Sequence, residues 1–143
     1  MDLFKNEVVD ALCDTKLGQW EYTEGLEYRY LAQQELSETL REFARVSPHE
    51  LAFEIMHVVG VVPPHQHLQT GGTIFILPKV HGLPATGKIY ISGSWRDVAG
   101  GEMITVHAGD AHGFSVLKGE SLWVLSVDSP KLDVHDRVTV GTE

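Results

Sequence analysis

The stretch PPHQHLQTGG, from Pro63 to Gly72, sets two imidazoles one residue apart. Side chains at i and i+2 of a strand point to the same face. His65 and His67, held behind the stiff pair Pro63-Pro64, would therefore project into one space. Neutral imidazole suits zinc, iron, copper or nickel. Taken alone, such a pair reads equally well as half of a metal site or as two exposed histidines at the mouth of a strand. A second stretch, GEMITVHAGDAHGF from Gly101 to Phe114, reads as a strand, a tight turn on Gly109-Asp110 and a return strand carrying His112.

Together the two stretches resemble the paired motifs of the cupin family. Gly101, Gly109 and His112 match the second motif in spacing, with His107 where a proline is usual and Val116 where an asparagine often stands. The first motif is one residue short between Gly60 and His65, and Gly72 falls where the motif glutamate belongs. The resemblance covers about residues 53–127. It implies an all-β double-stranded β-helix, or jelly roll (the cupin barrel), with a metal at the barrel mouth. Carried over by position, the implied ligands are His65, His67 and His112. His107, across the Gly109 turn from His112, is a further candidate ligand or a hydrogen-bonding neighbour; the local polar role is favoured.

The missing acid has a chemical consequence. Three neutral imidazoles leave a divalent ion its whole double charge, and that charge dominates the local electrostatics. Such a site favours small, chelating organic anions and leaves coordination positions for them. The resemblance offers two enzymatic precedents: three-histidine iron dioxygenases acting on thiols and β-diketones, and zinc cupins resembling polyketide cyclases, whose metal stabilises an enolate. The sequence narrowly favours the iron dioxygenase. Its rivals are the non-oxidative cyclase or isomerase and a non-enzymatic ligand-binding or sensor cupin. One divalent ion is expected, Fe2+ or Zn2+, with Ni2+ or Mn2+ as alternatives.

If the position of Gly72 faces inward, alternation carries Ile74 and Ile76 inward with it. Tyr90, Trp95, Met103, Phe114 and Trp123 are candidate walls of the same pocket, although most such residues simply make core in a jelly roll. Gln69 is placed to hydrogen-bond a metal-bound water or to be a polar loop residue. His81 is expected at a solvated turn, and His49, His57 and His135 at surface or core positions. Glu21, Glu24 and Glu27 read as a solvated face.

These side chains need strands to hold them. LEYRYLA, FEIMHVV, TIFILPKV, GKIYISGSW, EMITVHAG and SLWVLSV are short runs of β-branched and aromatic residues separated by turn residues. Before them, Leu3, Phe4, Val8, Val9, Ala11 and Leu12 recur at helical spacing, predicting a short amphipathic helix over 2–13 that ends near Gly18. It packs on the domain or on a partner subunit. The chain divides into a helical extension, 1–18, and a cupin β-barrel domain, 19–143. QQELSETLREFAR permits helix or strand, and Val134 to Glu143 a final strand or a tail.

Composition narrows the partners. The 143 residues carry a net charge of −9, which argues against nucleic acid and against an anionic membrane. No apolar run approaches the ~20 residues of a membrane span. One cysteine, Cys13, forbids an intrachain disulfide. No phosphate-binding loop or nucleophile elbow is present: GSWRDVAGG lacks the lysine and the spacing. The expectation is a cytoplasmic enzyme of small molecules, pairing as a homodimer through sheet edges.

Overall fold

The computed structural model describes residues 6–46, 51–129 and 137–139. Leu3, Phe4, His49 and His135 lie outside them. The chain runs α1 (Asn6–Leu12), β1 (Glu21–Thr23), β2 (Leu26–Tyr30), α2 (Glu38–Val46), β3 (Ala52–Val58), β4 (Val61–His67) and β5 (Gly71–Ile76). Then come β6 (Lys79–Val80), β7 (Leu83–Pro84), β8 (Lys88–Ile91), β9 (Ser94–Asp97), β10 (Met103–Val106), β11 (His112–Ser115), β12 (Leu122–Ser129) and β13 (Arg137–Thr139). A six-stranded sheet in the order β1-β2-β3-β12-β5-β10 faces a five-stranded sheet in the order β13-β4-β11-β8-β9, and β6 pairs with β7 alone. All pairings are antiparallel, in agreement with the expected all-β, cupin-like architecture.

Two apolar layers hold this arrangement. Between the sheets lie Val62, Ile76, Ile89, Leu122 and Val124, each at most 1% exposed. On the other face of the six-stranded sheet Phe53, Ile55, Trp123, Leu125 and Val127 pack against Val9 and Cys13 at the N-terminal helix and Leu36 and Leu40 of the α2 region. The central strands β3 and β12 are therefore buried on both faces, which is why their sequences read as continuous apolar runs rather than as alternation.

The ambiguous QQELSETLREFAR forms a short 3-10 turn and then α2. Ser37 starts the helix: its hydroxyl accepts from the Leu40 amide at 3.2 Å, satisfying one of the free N–H groups of the first turn. α1 packs on its own chain. Arg29 ties its end down, donating to the Leu12 carbonyl at 3.1 Å and to Glu35 at 2.7 Å while its guanidinium lies over Trp20. The β6–β7 ribbon turns on His81 and Gly82, both at positive φ, as a tight two-residue hairpin requires. His81 is exposed at that turn, as expected; its amide donates to Asp10 at 2.8 Å and its ring Nε2 lies 3.0 Å from the Cys13 carbonyl. Among the described residues, no helix is long and apolar enough to cross a membrane.

Two expectations from the sequence are corrected here. Glu21 and Glu24 are exposed, but Glu27 is buried, with Oε1 2.5 Å from His57 Nδ1. His57 in turn stacks on Trp123 at 3.9 Å between ring centroids, and register puts Glu27, His57 and Trp123 in one row across β2, β3 and β12. Also, β10 and β11 are not a hairpin. They belong to different sheets, so residues 107–111 cross from one sheet to the other.

Candidate metal centre

The central strands of the five-stranded sheet supply the three histidines. His65 and His112 are register partners across β4 and β11, and His67 is two residues further along β4 on the same side. Their candidate ligand nitrogens all lie within 4.8 Å of one another. Ring centroids are 4.5 Å apart for His65 and His112, 5.0 Å for His65 and His67, and 5.2 Å for His67 and His112. His65 and His112 are buried, and His67 is half-buried.

Local backbone orients two of these rings. His65 Nδ1 lies 2.8 Å from the Pro63 carbonyl and His112 Nδ1 lies 3.1 Å from the Asp110 carbonyl. A carbonyl only accepts, so each Nδ1 carries the proton and each Nε2 is left with a lone pair. This is the tautomer a divalent ion needs, and the residues present fit one.

The crossing between the sheets is pinned beside the trio. The Gly109 amide donates to the His67 carbonyl at 2.7 Å, and the His107 amide donates to Asp110 Oδ2 at 2.9 Å. His107 is exposed and stands outside the three-histidine group, on the segment that crosses between the sheets. Gly72 is also explained: a Cβ there would collide with the Val127 carbonyl of β12, so no side chain, acidic or otherwise, fits.

The trio opens onto a cavity of about 250 Å³ between the two sheets. Leu26, Met56, Val62, Ile74, Val106 and Phe114 supply its apolar lining. Of the pocket walls expected from the sequence, Ile74 and Phe114 are present. The others are elsewhere. Ile76 is core beyond the cavity, Gln69 is exposed outside it, and Met103 is 65% exposed on the outer face of β10. Tyr90 packs edge-on to Trp95 at 5.5 Å, out of phase with the inward Ile89. Trp123 faces the helical layer, with Trp20, His57 and His81 around it.

The wall contributed by the six-stranded sheet holds groups that sequence reasoning missed: Glu54, Ser126 and Asp128. Glu54 on β3 and Ser126 on β12 are register partners, and Asp128 is two residues beyond Ser126, directly across from Gly72 on β5. Glu54 is 5% and Asp128 8% exposed. Burial, and then the charge of neighbouring Asp128, holds the Glu54 carboxyl well above the ordinary carboxylate range. Burial also raises Asp128, while a 2.8 Å hydrogen bond from the Ser126 hydroxyl pulls against it. The available signal was an acid inside each of two otherwise apolar strands, AFEIMHV and LWVLSVDS.

No family model and no curated protein matches this chain. Similar solved structures exist at low identity. KdgF from Halomonas sp. is 19% identical, with a TM-score of 0.56 over 81% of this chain and 89% of that one. The Streptomyces nucleoside dehydratase Pac13 is 14% identical, with a TM-score of 0.56 over 85% and 83%. The polyketide cyclase RemF from Streptomyces resistomycificus is 18% identical, with a TM-score of 0.53 over 82% of each chain. These are cupin-like folds, and the likeness is one of fold.

Proposed function

We propose that this chain is a metal-dependent enzyme that binds a small organic substrate at a divalent ion held by His65, His67 and His112 and transforms it without consuming oxygen. One observation carries the reading: the three imidazoles open onto a small, largely apolar cavity whose opposite wall presents buried carboxyl groups. When bound, the ion would supply Lewis acidity toward a carbonyl or enolate oxygen. The chain's own residues do the rest. The apolar walls exclude water and fit a flat or short carbon skeleton. The Pro63 and Asp110 carbonyls hold the His65 and His112 rings in their donor tautomer. Bond closure, elimination or isomerisation through an enolate suits this arrangement, and the fold is compatible with it, since similar structures include a nucleoside dehydratase and a polyketide cyclase.

A second reading, the iron dioxygenase, is supported by the absence of any side chain at Gly72, which leaves coordination positions for substrate and oxygen together. Elemental analysis of protein purified without chelators, followed by turnover of small enolisable and phenolic compounds under nitrogen and under air, separates the two. Zinc or nickel with equal anaerobic turnover is the expected result. Iron with strict oxygen dependence supports the dioxygenase. Ligand binding that survives His112→Ala and loss of the metal would leave a binding module instead.

A further inference from the structure

We propose that Glu54 and Asp128 form a carboxyl pair that receives the end of the substrate distant from the metal and exchanges a proton with it. The inference rests on the metal-dependent reading above and names a substrate class for it: a compact molecule with chelating oxygens at one end, an apolar middle, and a hydroxyl or enolisable carbonyl at the other.

Placement carries the argument. The histidines stand on the five-stranded sheet and the two acids on the six-stranded sheet, and both sets line the same cavity. Along β12 the inward positions run Leu122, Val124, Ser126 and Asp128, so the wall turns from apolar to acidic toward Gly71 and Gly72. Asp128 Oδ1 accepts from Ser126, and Asp128 Oδ2, buried, has as its neighbour the Glu54 carboxyl, which hydrogen-bonds the Asp128 side chain when it holds a proton. A buried acceptor short of donors is unfavourable, and more so when it is charged. A ligand hydroxyl in the cavity could donate to the ionised member of the pair. Among the described residues lining the cavity there is no lysine or arginine, so apart from an ion on the histidines no cation offsets two carboxylates, and like charges at close range cannot both ionise cheaply. The titratable groups acting on Glu54 are Asp128 on β12 and Glu21 on β1; Tyr30, its register partner on β2, is itself pushed up by burial and by the two acids.

One member of such a pair holds a proton and the other can take one. The ionised carboxylate accepts a proton from a substrate O–H or from a carbon beside a carbonyl, and the bonding electron pair stays on the substrate as phenolate or enolate. The pair then carries two protons. It returns one to the product's carbon or to a departing oxygen, which restores the starting state.

Two measurements on the intact protein test this. In the infrared at neutral pH, wild type should show a protonated-carboxyl C=O band that Glu54→Gln removes and Asp128→Asn shifts. Absence of the band, or indifference to both substitutions, overturns the pair. Calorimetry on zinc-loaded protein then compares salicylate, a chelator, with its para-hydroxylated analogue. The analogue should bind wild type about tenfold more tightly, and both variants should lose that preference. Equal binding of the two probes to wild type overturns the role of the pair and leaves the metal reading standing. Failure to take up zinc, or zinc uptake with no binding of either probe, overturns the metal-chelate reading itself and the substrate class with it.

Discussion

At the residue scale, the site depends on what Gly72 cannot carry and on what Asp128 carries beside it. Restoring an acid at the motif position should not create a fourth ligand, because the Cβ of any residue at 72 meets the Val127 carbonyl. Gly72→Glu is expected to lower stability by about 2–3 kcal/mol, as overpacking does, with no gain in metal affinity; chemical denaturation and zinc titration check both halves. Glu54 gives a pH signature. Its folded carboxyl is raised by burial first and Asp128 second, so the fold prefers its protonated form. That contribution is fully present below the ordinary carboxylate range and is lost as pH rises through the folded value. Glu54→Gln has no such loss. Its melting temperature relative to wild type should therefore rise as pH climbs from the ordinary carboxylate range through the raised folded value, measured by thermal denaturation across buffers.

At the element scale, the decisive feature is the pairing of β4 with β11, which has a register shift between His112 and Phe114. Gly113 sits in that irregularity, and a Cβ there would stand 2.6 Å from the Val62 carbonyl and 3.0 Å from the Pro64 nitrogen. Gly113→Ala should push β11 off β4 and separate His112 from His65, lowering zinc affinity by about 10–100-fold without touching a ligand, the scale seen when groups that orient ligands are lost; competition with a chromogenic chelator reads this. The N-terminal helix offers a second test. Cys13 is fully buried beneath it, and burial pushes its thiol up to about 12, with Asp10 adding to the effect. The thiol should resist a disulfide reagent in the native protein and react at once in denaturant, so its slow native rate measures how often α1 lifts from the sheet.

For the whole molecule, the six-stranded sheet ends at β1 and β10 and the five-stranded sheet at β13 and β9. Tyr22 on β1 and Met103 on β10 are 73% and 65% exposed at two of these edges. Open edges carrying apolar side chains invite pairing with a second copy. Light scattering at micromolar concentration is expected to give the mass of a dimer, and the mass of a monomer would refute this. The acidic balance of the chain, net −9, works against association with nucleic acid at any of these edges.

The sequence by itself determined the strand-rich class and the His65–His67 pair, an i, i+2 spacing on one strand, while His112 joined them only through the resemblance of two local motifs to those of the cupin family. It also determined that no cysteine bridge could staple the fold. Only the tertiary structure decided which face each strand residue takes. β3 and β12 are covered on both sides, so alternation between apolar and polar residues, the usual guide to inside and outside, is missing from their sequences. For that reason Trp123 reads as a cavity wall when it faces away; Glu27 reads as solvated because its partner His57 lies on another strand, against which it is buried. Glu54 and Asp128, separated by 74 positions in the chain, could be recognised as neighbours only once β3 and β12 were paired in register. Proximity across a sheet is set by pairing and register, and no short stretch of sequence contains it.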